Sequence, residues 1–169
     1  MTIKERYEGV LDHLAKEWPA ADSELNFENA YQLLVAVMLS AQCTDKRVNM
    51  VTPALFAAYP TIQQLALATT EDVLQHIKSV SYPNSKATHL VEMAKRVVEV
   101  YKGRIPDTRE ELQTLAGVGR KTANVVCAVW WNQPTMAVDT HIFRVAERIG
   151  LTTNAKNPLD SEKQLIKHI

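Results

Sequence analysis

Apolar residues recur along this chain at spacings of three and four, which is the pattern of amphipathic helices. Turn residues separate the periodic stretches, most clearly at Trp18-Pro19, at Tyr59-Pro60 and at Gly117 to Gly119. We find no strand pattern of useful length, so the predicted fold class is all-α. The predicted helices span residues 3–17, 28–42, 44–59, 61–68, 70–78, 86–101, 108–115, 121–131, 140–149 and 159–169.

The run from Leu33 to Leu39 is apolar on nearly every helical face, which predicts a central and buried helix. It is far shorter than the roughly 18 apolar residues that a membrane span needs. The charged start of the chain, MTIKERYEGV, does not resemble a signal peptide. We therefore expect no membrane partner, a cytoplasmic location and reduced thiols at Cys43 and Cys127.

The composition is that of an ordinary globular chain, with 22% charged and 46% hydrophobic residues. Basic and acidic residues each number 19, so the net charge gives no sign of a polyanionic partner. Between residues 75 and 148, however, basic residues outnumber acidic ones by eleven to seven. This excess permits a phosphate-binding surface, although ordinary solvated helices often carry one as large.

A glycine turn, formed by Gly117, Val118 and Gly119, joins two of the predicted helices. Glycines allow backbone conformations closed to other residues, and the amide N–H groups at the following helix N-terminus suit an anion such as phosphate. Val118 can pack inward and tie the turn to the core. Such a turn contacts a nucleic-acid backbone without reading its bases. The alternative is an ordinary tight turn between packed helices.

Lys121 lies just after this turn, at the start of a helix whose other faces are apolar. Arg120 and the helix N-terminus both disfavour a protonated amine, as does partial burial. A neutral amine can attack a sugar carbon or a carbonyl and form a Schiff base. Lys121 is therefore a candidate nucleophile; alternatively, Lys121 and Arg120 are surface cations that contact phosphates.

Asp139 directly precedes a periodic helix, so its simplest role is that of an N-cap that accepts backbone hydrogen bonds. A carboxylate held in this way stays negative, which suits the stabilisation of an oxocarbenium-like sugar or assistance in proton transfer. The two roles can coexist. His141 is expected to be a supporting residue, since a packed or hydrogen-bonded histidine is commoner than a catalytic one.

Three ordered motifs closely resemble the endonuclease III family of DNA glycosylases. They are LLVAVMLSAQCTD (33 to 45), LAGVGRKTANVV (115 to 126) and AVDTHIFRV (137 to 145), and the likeness extends through NSKA (84 to 87). The resemblance implies a helix-hairpin-helix glycosylase fold in which two helical domains flank a cleft. One domain is expected at 23–133, with the hairpin at about 108–131, and the other at 1–22 plus 134–169.

The same resemblance implies a bifunctional enzyme of base excision repair. A lysine matching Lys121 attacks C1′ of a damaged nucleotide, the aspartate matching Asp139 assists, and β-elimination then cleaves the strand. The implied substrate is double-stranded DNA with an oxidised pyrimidine or an abasic site, and the implied enzyme is a monomer at a bacterial nucleoid. Two alternatives stay open: a non-catalytic helix-hairpin-helix module, and an adenine-specific mismatch glycosylase, in which serine typically replaces this lysine.

Further site residues follow from the resemblance. Gln42 matches a residue that enters the duplex and reaches the substrate pocket, and Asp45 matches a pocket residue. The alternatives are that Gln42 only makes a local hydrogen bond at the end of its helix and that Asp45 only caps the third helix. Tyr82 stands where many relatives have a wedge leucine, so an aromatic ring would fill the gap left by the extruded nucleotide. The residues expected to contact DNA are Gln42, Tyr82, Asn84, Lys86, Gly117, Val118, Gly119, Arg120, Thr140, His141 and Arg144.

Family members usually end in four cysteines that bind a [4Fe-4S] cluster. This sequence has only Cys43 and Cys127, each within an apolar helix where a core role is expected. Residues 159–169 have the pattern of an amphipathic helix, but no capping residue or glycine ends it. We therefore expect a truncated chain whose full-length form carries the cluster. The alternative is a natural cluster-free branch; within these residues we expect no metal ligands.

Overall fold

A computed structural model describes residues 1–169 and confirms the all-α fold, with ten helices and no strand. The helices are α1 (Ile3–Glu17), α2 (Ala30–Ser40), α3 (Asp45–Ala58), α4 (Ile62–Ala66), α5 (Thr70–Ile77), α6 (Pro83–Tyr101), α7 (Arg109–Leu112), α8 (Arg120–Trp131), α9 (Thr140–Arg148) and α10 (Pro158–Leu165). None of them combines the length and the apolar character that a membrane span requires.

Polar side chains fix the start of most of these helices. At eight of the ten N-termini, the residue before the helix accepts a hydrogen bond from a backbone N–H of the first turn. The two exceptions are α6, which begins after Tyr82, and α8, which begins after Gly119. Both exceptions lie at residues for which the sequence predicts contact with DNA.

The chain divides into two compact units. One contains Ser23–Thr135, and the other contains Met1–Asp22 together with Met136–Ile169. The sequence-based boundary after residue 133 lies two residues before the boundary in the structure.

The larger unit is built around α2, as the apolar run predicts. Every residue from Leu33 to Leu39 is buried, and α2 packs against α3, α6 and α8. Its N-terminal end is fixed by Tyr31, whose hydroxyl donates a hydrogen bond to the Tyr59 carbonyl oxygen at 2.9 Å. This core supports both the glycine turn and the ends of α2 and α6, where the remaining candidate residues of this unit lie.

The smaller unit has a core formed by Tyr7, Val138, Ala146, Leu151 and Leu165. Beside this core runs an apolar groove of about 440 Å³ between α1 and α9. Its lining includes large side chains that are more than a third exposed, among them Leu11, Leu14, Ile142, Val145 and Ile149.

Three helix ends differ from the prediction by three or more residues, and one of them is the end of α7, which lies at Leu112 rather than at Leu115. Helix α6 begins at Pro83 rather than at Lys86, because proline fits the first helical position, where no amide hydrogen is needed. Helix α10 ends at Leu165, and the chain turns at residues 166–168 instead of continuing as a helix to residue 169. The ring of His168 then lies against Tyr7, with ring centroids 4.6 Å apart.

Candidate functional site

The hairpin at residues 108–131 has the predicted form of helix, glycine turn and helix. Thr108 caps α7, and the turn leads into α8 at Arg120. Val118 is 6% exposed, and its amide donates a hydrogen bond to the Leu115 carbonyl oxygen at 3.2 Å. The expectation that Val118 anchors the turn in the core is therefore confirmed.

The two glycines of this turn differ in what the fold requires of them. Gly117 has a φ of +73°, and a Cβ atom there would lie 2.8 Å from Cβ of His89. Gly119 has a φ of −89° and a ψ of −178°, an extended conformation open to any residue, and a Cβ atom there would meet nothing within 4 Å. Gly117 thus serves the fold, whereas Gly119 leaves open space in front of the α8 N-terminus, where an anion can approach.

Lys121 lies in the first turn of α8, immediately after this open N-terminus, and it is exposed. The sequence predicts partial burial of Lys121, but the apolar faces of α8 are formed by later residues such as Ala123, Val126 and Cys127. Arg120 is half-buried beside it. The hairpin therefore places an exposed lysine directly after an open helix N-terminus that is suited to phosphate.

An acidic side chain also lies on this hairpin. Glu110 has a pKa below its ordinary value, first because of a backbone hydrogen bond and then because of Arg109. The two side chains form an ion pair with a nitrogen-to-oxygen distance of 3.0 Å. Arg109 thus offsets the negative charge that Glu110 brings to the entry helix.

Asp139 is the N-cap of α9 in the smaller unit. Its Oδ1 accepts hydrogen bonds from the amides of His141 at 3.0 Å and Ile142 at 2.8 Å. Thr140, His141 and Arg144 are exposed on the first turns of the same helix. The predicted capping role is confirmed, and the carboxylate is held in one orientation by the backbone.

Gln42 and Tyr82 occupy two loops of the larger unit, and both are exposed. Each is held in the left-handed backbone region, with a φ of 52°. Non-glycine residues rarely adopt this conformation, and among them asparagine and aspartate are the commonest. Since neither residue is of that kind, two residues expected to enter DNA both lie at strained backbone positions.

Lys86 is buried, at 8% exposure, and its Nζ donates three hydrogen bonds within the protein. The acceptors are the carbonyl oxygens of Leu39 at 2.8 Å and Ala41 at 2.7 Å, and the Ser81 hydroxyl at 3.1 Å. A lysine ammonium has three N–H donors, so this arrangement uses all of them and leaves none for the contact with DNA that the resemblance implies. Ser81 is not identified as a site residue from the sequence, because the carbonyl groups that its hydroxyl contacts are about 40 positions away in the chain.

Two further candidates lie close to these loops. Asp45 is the first residue of α3, and Thr44 is the side chain that caps this helix, so the alternative role of Asp45 as the cap is wrong. Asn84 is exposed in the first turn of α6. Asp45 and Asn84 thus lie close in sequence to Gln42 and Tyr82, respectively.

No group of three or more histidine, cysteine, aspartate or glutamate side chains is placed to hold a metal ion. Cys127 is buried, and burial raises the pKa of its thiol. Cys43 is half-buried near the end of α2. These two cysteines do not fit the four-thiolate set that a [4Fe-4S] cluster needs.

Comparison with known proteins agrees with the hairpin and its neighbouring motifs. Residues 35–169 match the family described as HhH-GPD superfamily base excision DNA repair protein. The chain is 41% identical to endonuclease III of Bacillus subtilis over 162 residues, which is 96% of this chain and 74% of that protein. It is 42% identical to endonuclease III of Rickettsia felis over 160 residues, covering 95% of this chain and 75% of the relative.

A solved structure of endonuclease III, described as a trapped covalent intermediate with DNA in an estranged-adenine complex, superposes with a TM-score of 0.94. The sequences are 41% identical, and the match covers 100% of this chain and 79% of that one. The chain therefore belongs to the endonuclease III family, within the HhH-GPD superfamily of base excision DNA repair proteins.

Proposed function

We propose that this DNA repair glycosylase is bifunctional: it removes oxidised pyrimidines from double-stranded DNA and then cleaves the strand as an AP lyase through Lys121. The observation that carries the proposal is the position of Lys121, an exposed residue in the first turn of α8, directly after the open glycine turn. The turn would bind the phosphate backbone through amides, so that the amine meets the sugar of a nearby nucleotide.

The chemistry begins when the neutral amine of Lys121 forms a bond to C1′. The glycosidic bond breaks, and the base leaves with its electron pair and takes up a proton. The attached nitrogen loses one proton, the C1′–O4′ bond opens with O4′ taking up a proton, and a protonated imine forms between Nζ and C1′. Loss of a C2′ proton expels the 3′-phosphate in a β-elimination, and water hydrolyses the imine to regenerate the amine.

Asp139 is proposed to assist this sequence as a carboxylate. Its charge can stabilise the developing positive charge of the sugar, and it can accept a proton as the lysine reacts. The two amides of α9 that donate hydrogen bonds to its Oδ1 fix the orientation of this carboxylate.

Access to C1′ requires the damaged nucleotide to leave the base stack. Gln42 and Tyr82, both exposed on their loops, are proposed to occupy the space that it leaves. Stacking of an aromatic ring on neighbouring bases is worth about 1–3 kcal/mol, so Tyr82 can replace the leucine of many relatives. The covalent chemistry proposed for Lys121 is supported by a trapped covalent intermediate with DNA, which is described for endonuclease III.

Borohydride trapping on duplex DNA with an abasic site tests the proposal, because borohydride reduces the imine to a stable amine. We expect a covalent adduct with the unmodified protein and with Lys95→Gln, which changes an exposed lysine of α6. We expect no adduct with Lys121→Gln. Equal trapping by the Lys121→Gln variant would overturn the assignment and favour the non-catalytic module. A protein that releases bases without trapping would favour the mismatch glycosylase.

The iron-sulfur cluster implied by the family would need ligands other than Cys43 and Cys127. We therefore derive no catalytic step from it. An intact mass and a visible absorption spectrum of the product of the full reading frame test for it, since a bound cluster absorbs visible light. As an enzyme acting on DNA, the protein is proposed to work at a bacterial nucleoid, in line with the bacterial origin of its relatives.

A further inference from the structure

The loop that carries Gln42 is a tight turn with an unsuitable residue at its third position. Ala41 has a φ of −57° and a ψ of 116°, Gln42 has a φ of 52°, and the Cys43 amide donates to the Ser40 carbonyl oxygen at 3.0 Å. These values describe a type II turn, which normally has glycine where Gln42 lies. Something outside the turn must therefore hold it in this conformation.

The loop that carries Tyr82 also has a residue in an unfavourable backbone conformation. Tyr82 precedes α6 with a φ of 52° and a ψ of 50°, and it makes no side-chain capping hydrogen bond. Residues before a helix normally have extended backbones and cap the helix with a polar side chain. The side chain of Tyr82 is 66% exposed, so packing does not hold it in place.

Ser81 and Lys86 connect these two loops. The Ser81 hydroxyl lies 2.8 Å from the Gln42 carbonyl oxygen and 3.3 Å from the Ala41 carbonyl oxygen. Lys86 reaches Ser81 from the first turns of α6 and also binds the carbonyl oxygens of Leu39 and Ala41 at the end of α2. A cation at the C-terminal end of a helix is favourable, and hydrogen bonds to a charged group are stronger than neutral ones.

We propose that Lys86 and Ser81 form a clamp that positions Gln42 and Tyr82 as one rigid pair for insertion into the duplex. This inference rests on the proposed function, because it assigns a task to the loops only if the enzyme opens DNA. Lys86 is thus a positioning residue: it acts through the two loops, and its ammonium touches neither the phosphates nor the sugar.

Two other roles for Lys86 agree less well with its surroundings. As a phosphate ligand it would have to give up hydrogen bonds to three acceptors and leave a buried position. As a second nucleophile it would have to lose a proton that one of these acceptors binds. Burial does lower the pKa of Lys86 from its ordinary value, while the nearby Cys43 opposes this change. The three acceptors all favour the charged ammonium.

The clamp can be tested by measuring the response of the base opposite the lesion. A duplex carries a stable tetrahydrofuran analogue of an abasic site, and 2-aminopurine is the base that faces it. The fluorescence of 2-aminopurine rises when it leaves the stack, and fluorescence anisotropy shows when the protein is saturating. This readout needs no lyase chemistry. The variants are Lys86→Met, Ser81→Ala and the control Lys95→Met, which changes an exposed lysine on the same helix.

We expect the unmodified protein and Lys95→Met to raise the fluorescence equally at saturation. For Lys86→Met we expect the response to fall about tenfold. This corresponds to a free-energy change of about 1.4 kcal/mol that disfavours the loop conformation needed for insertion. Ser81→Ala removes the link without placing a methionine in the core, so it decides the case if Lys86→Met does not fold. A full response from folded Lys86→Met or, failing that, from Ser81→Ala would overturn the clamp.

The borohydride assay separates this inference from the proposed function. A protein that fails to trap but gives the fluorescence response, with loss of the response in the clamp variants, would exclude the lyase and retain the clamp. A protein that traps normally while the clamp variants respond fully would retain the lyase and exclude the clamp. An unmodified protein that binds the duplex without any response would also exclude the clamp.

Discussion

The phenol of Tyr7 donates a hydrogen bond of 2.6 Å to the carbonyl oxygen of Leu151, 144 residues away in the chain. Tyr7 is 3% exposed, and its burial raises the pKa of the phenol. This bond ties α1 to the segment that follows α9, so it joins the two stretches of chain that make up the smaller unit.

Replacement of Tyr7 by phenylalanine should leave this buried carbonyl without its partner. An unsatisfied buried acceptor costs about 1–3 kcal/mol, so we expect the free energy of unfolding to fall by that amount. Urea unfolding at pH 7 measures the change. Tyr101→Phe is the matched control, because its hydroxyl pairs with an exposed threonine, Thr114, and should matter less. Equal losses in the two variants would contradict the special role of the Tyr7 bond.

The fold of each unit is largely readable from local patterns, whereas contacts between distant segments are not. The apolar run of α2 predicts its burial, and Asp139 predicts the start of α9. The end of α10 at Leu165 does not follow from spacing, since apolar residues continue to Ile169. The ring of His168 packs on Tyr7 there, and a contact across 161 positions has no local signal.

The same distinction holds for the candidate site. The hairpin and Lys121 belong to one contiguous motif, so their order along the chain already brings them together. Lys86 shows the limit of this reasoning, because in the sequence it resembles any basic residue near a DNA-binding motif. Its buried position depends on carbonyl groups of Leu39 and Ala41, more than 40 positions earlier. Only the packing of α6 against α2 reveals them.

Alanine at each of the two hairpin glycines should separate folding from binding. Gly117→Ala places a methyl group 2.8 Å from His89 at a positive φ, so we expect a loss of stability of about 1–3 kcal/mol. Gly119→Ala has open space and an ordinary φ, and it should be neutral or stabilise by up to about 1 kcal/mol.

For DNA affinity we expect a different result from Gly119→Ala. Its methyl group occupies the space in front of the α8 N-terminus, so binding to an abasic-site duplex should weaken about tenfold, or about 1.4 kcal/mol. Thermal unfolding and fluorescence anisotropy at one salt concentration measure the two quantities. Unchanged affinity in a folded Gly119→Ala variant would show that phosphate does not approach there.

Asp139 allows its capping and catalytic roles to be separated by two substitutions. Asparagine caps helices about as well as aspartate, so Asp139→Asn should keep its hydrogen bonds to α9 and lose less than about 0.5 kcal/mol. Because it lacks the charge, base release should slow by about 100-fold or more. Single-turnover release of an oxidised pyrimidine measures this rate.

Asp139→Ala is the companion variant. It removes the cap as well as the charge, so it should also lose about 1 kcal/mol of stability. An Asp139→Asn variant that releases bases at the full rate would leave Asp139 with a capping role alone. A variant that unfolds would point to a larger structural role than the two hydrogen bonds explain.

Cys127 should make the stability of the protein depend on alkaline pH. Burial raises the pKa of its thiol, and Glu110 and Asp107 raise it further, whereas Arg109 opposes them. The folded state therefore favours the neutral thiol more than the unfolded state does. Its contribution to stability is complete below the ordinary cysteine pKa of about 8.5 and is lost as the pH rises through the higher folded value.

Comparison with Cys127→Ala isolates this contribution, since other groups titrate equally in both proteins. At pH 7 the variant should be about 1 kcal/mol less stable because a small buried group is removed. That difference should shrink as the pH rises above about 8.5, as measured by urea unfolding in the presence of a reductant. Native-state labelling with a thiol reagent at pH 8 supplies the check: half-buried Cys43 should react first, and Cys43→Ala should show almost no fast labelling. A constant difference across this pH range, or rapid labelling of Cys127 in the native Cys43→Ala variant, would show that its thiol is not shielded by the fold.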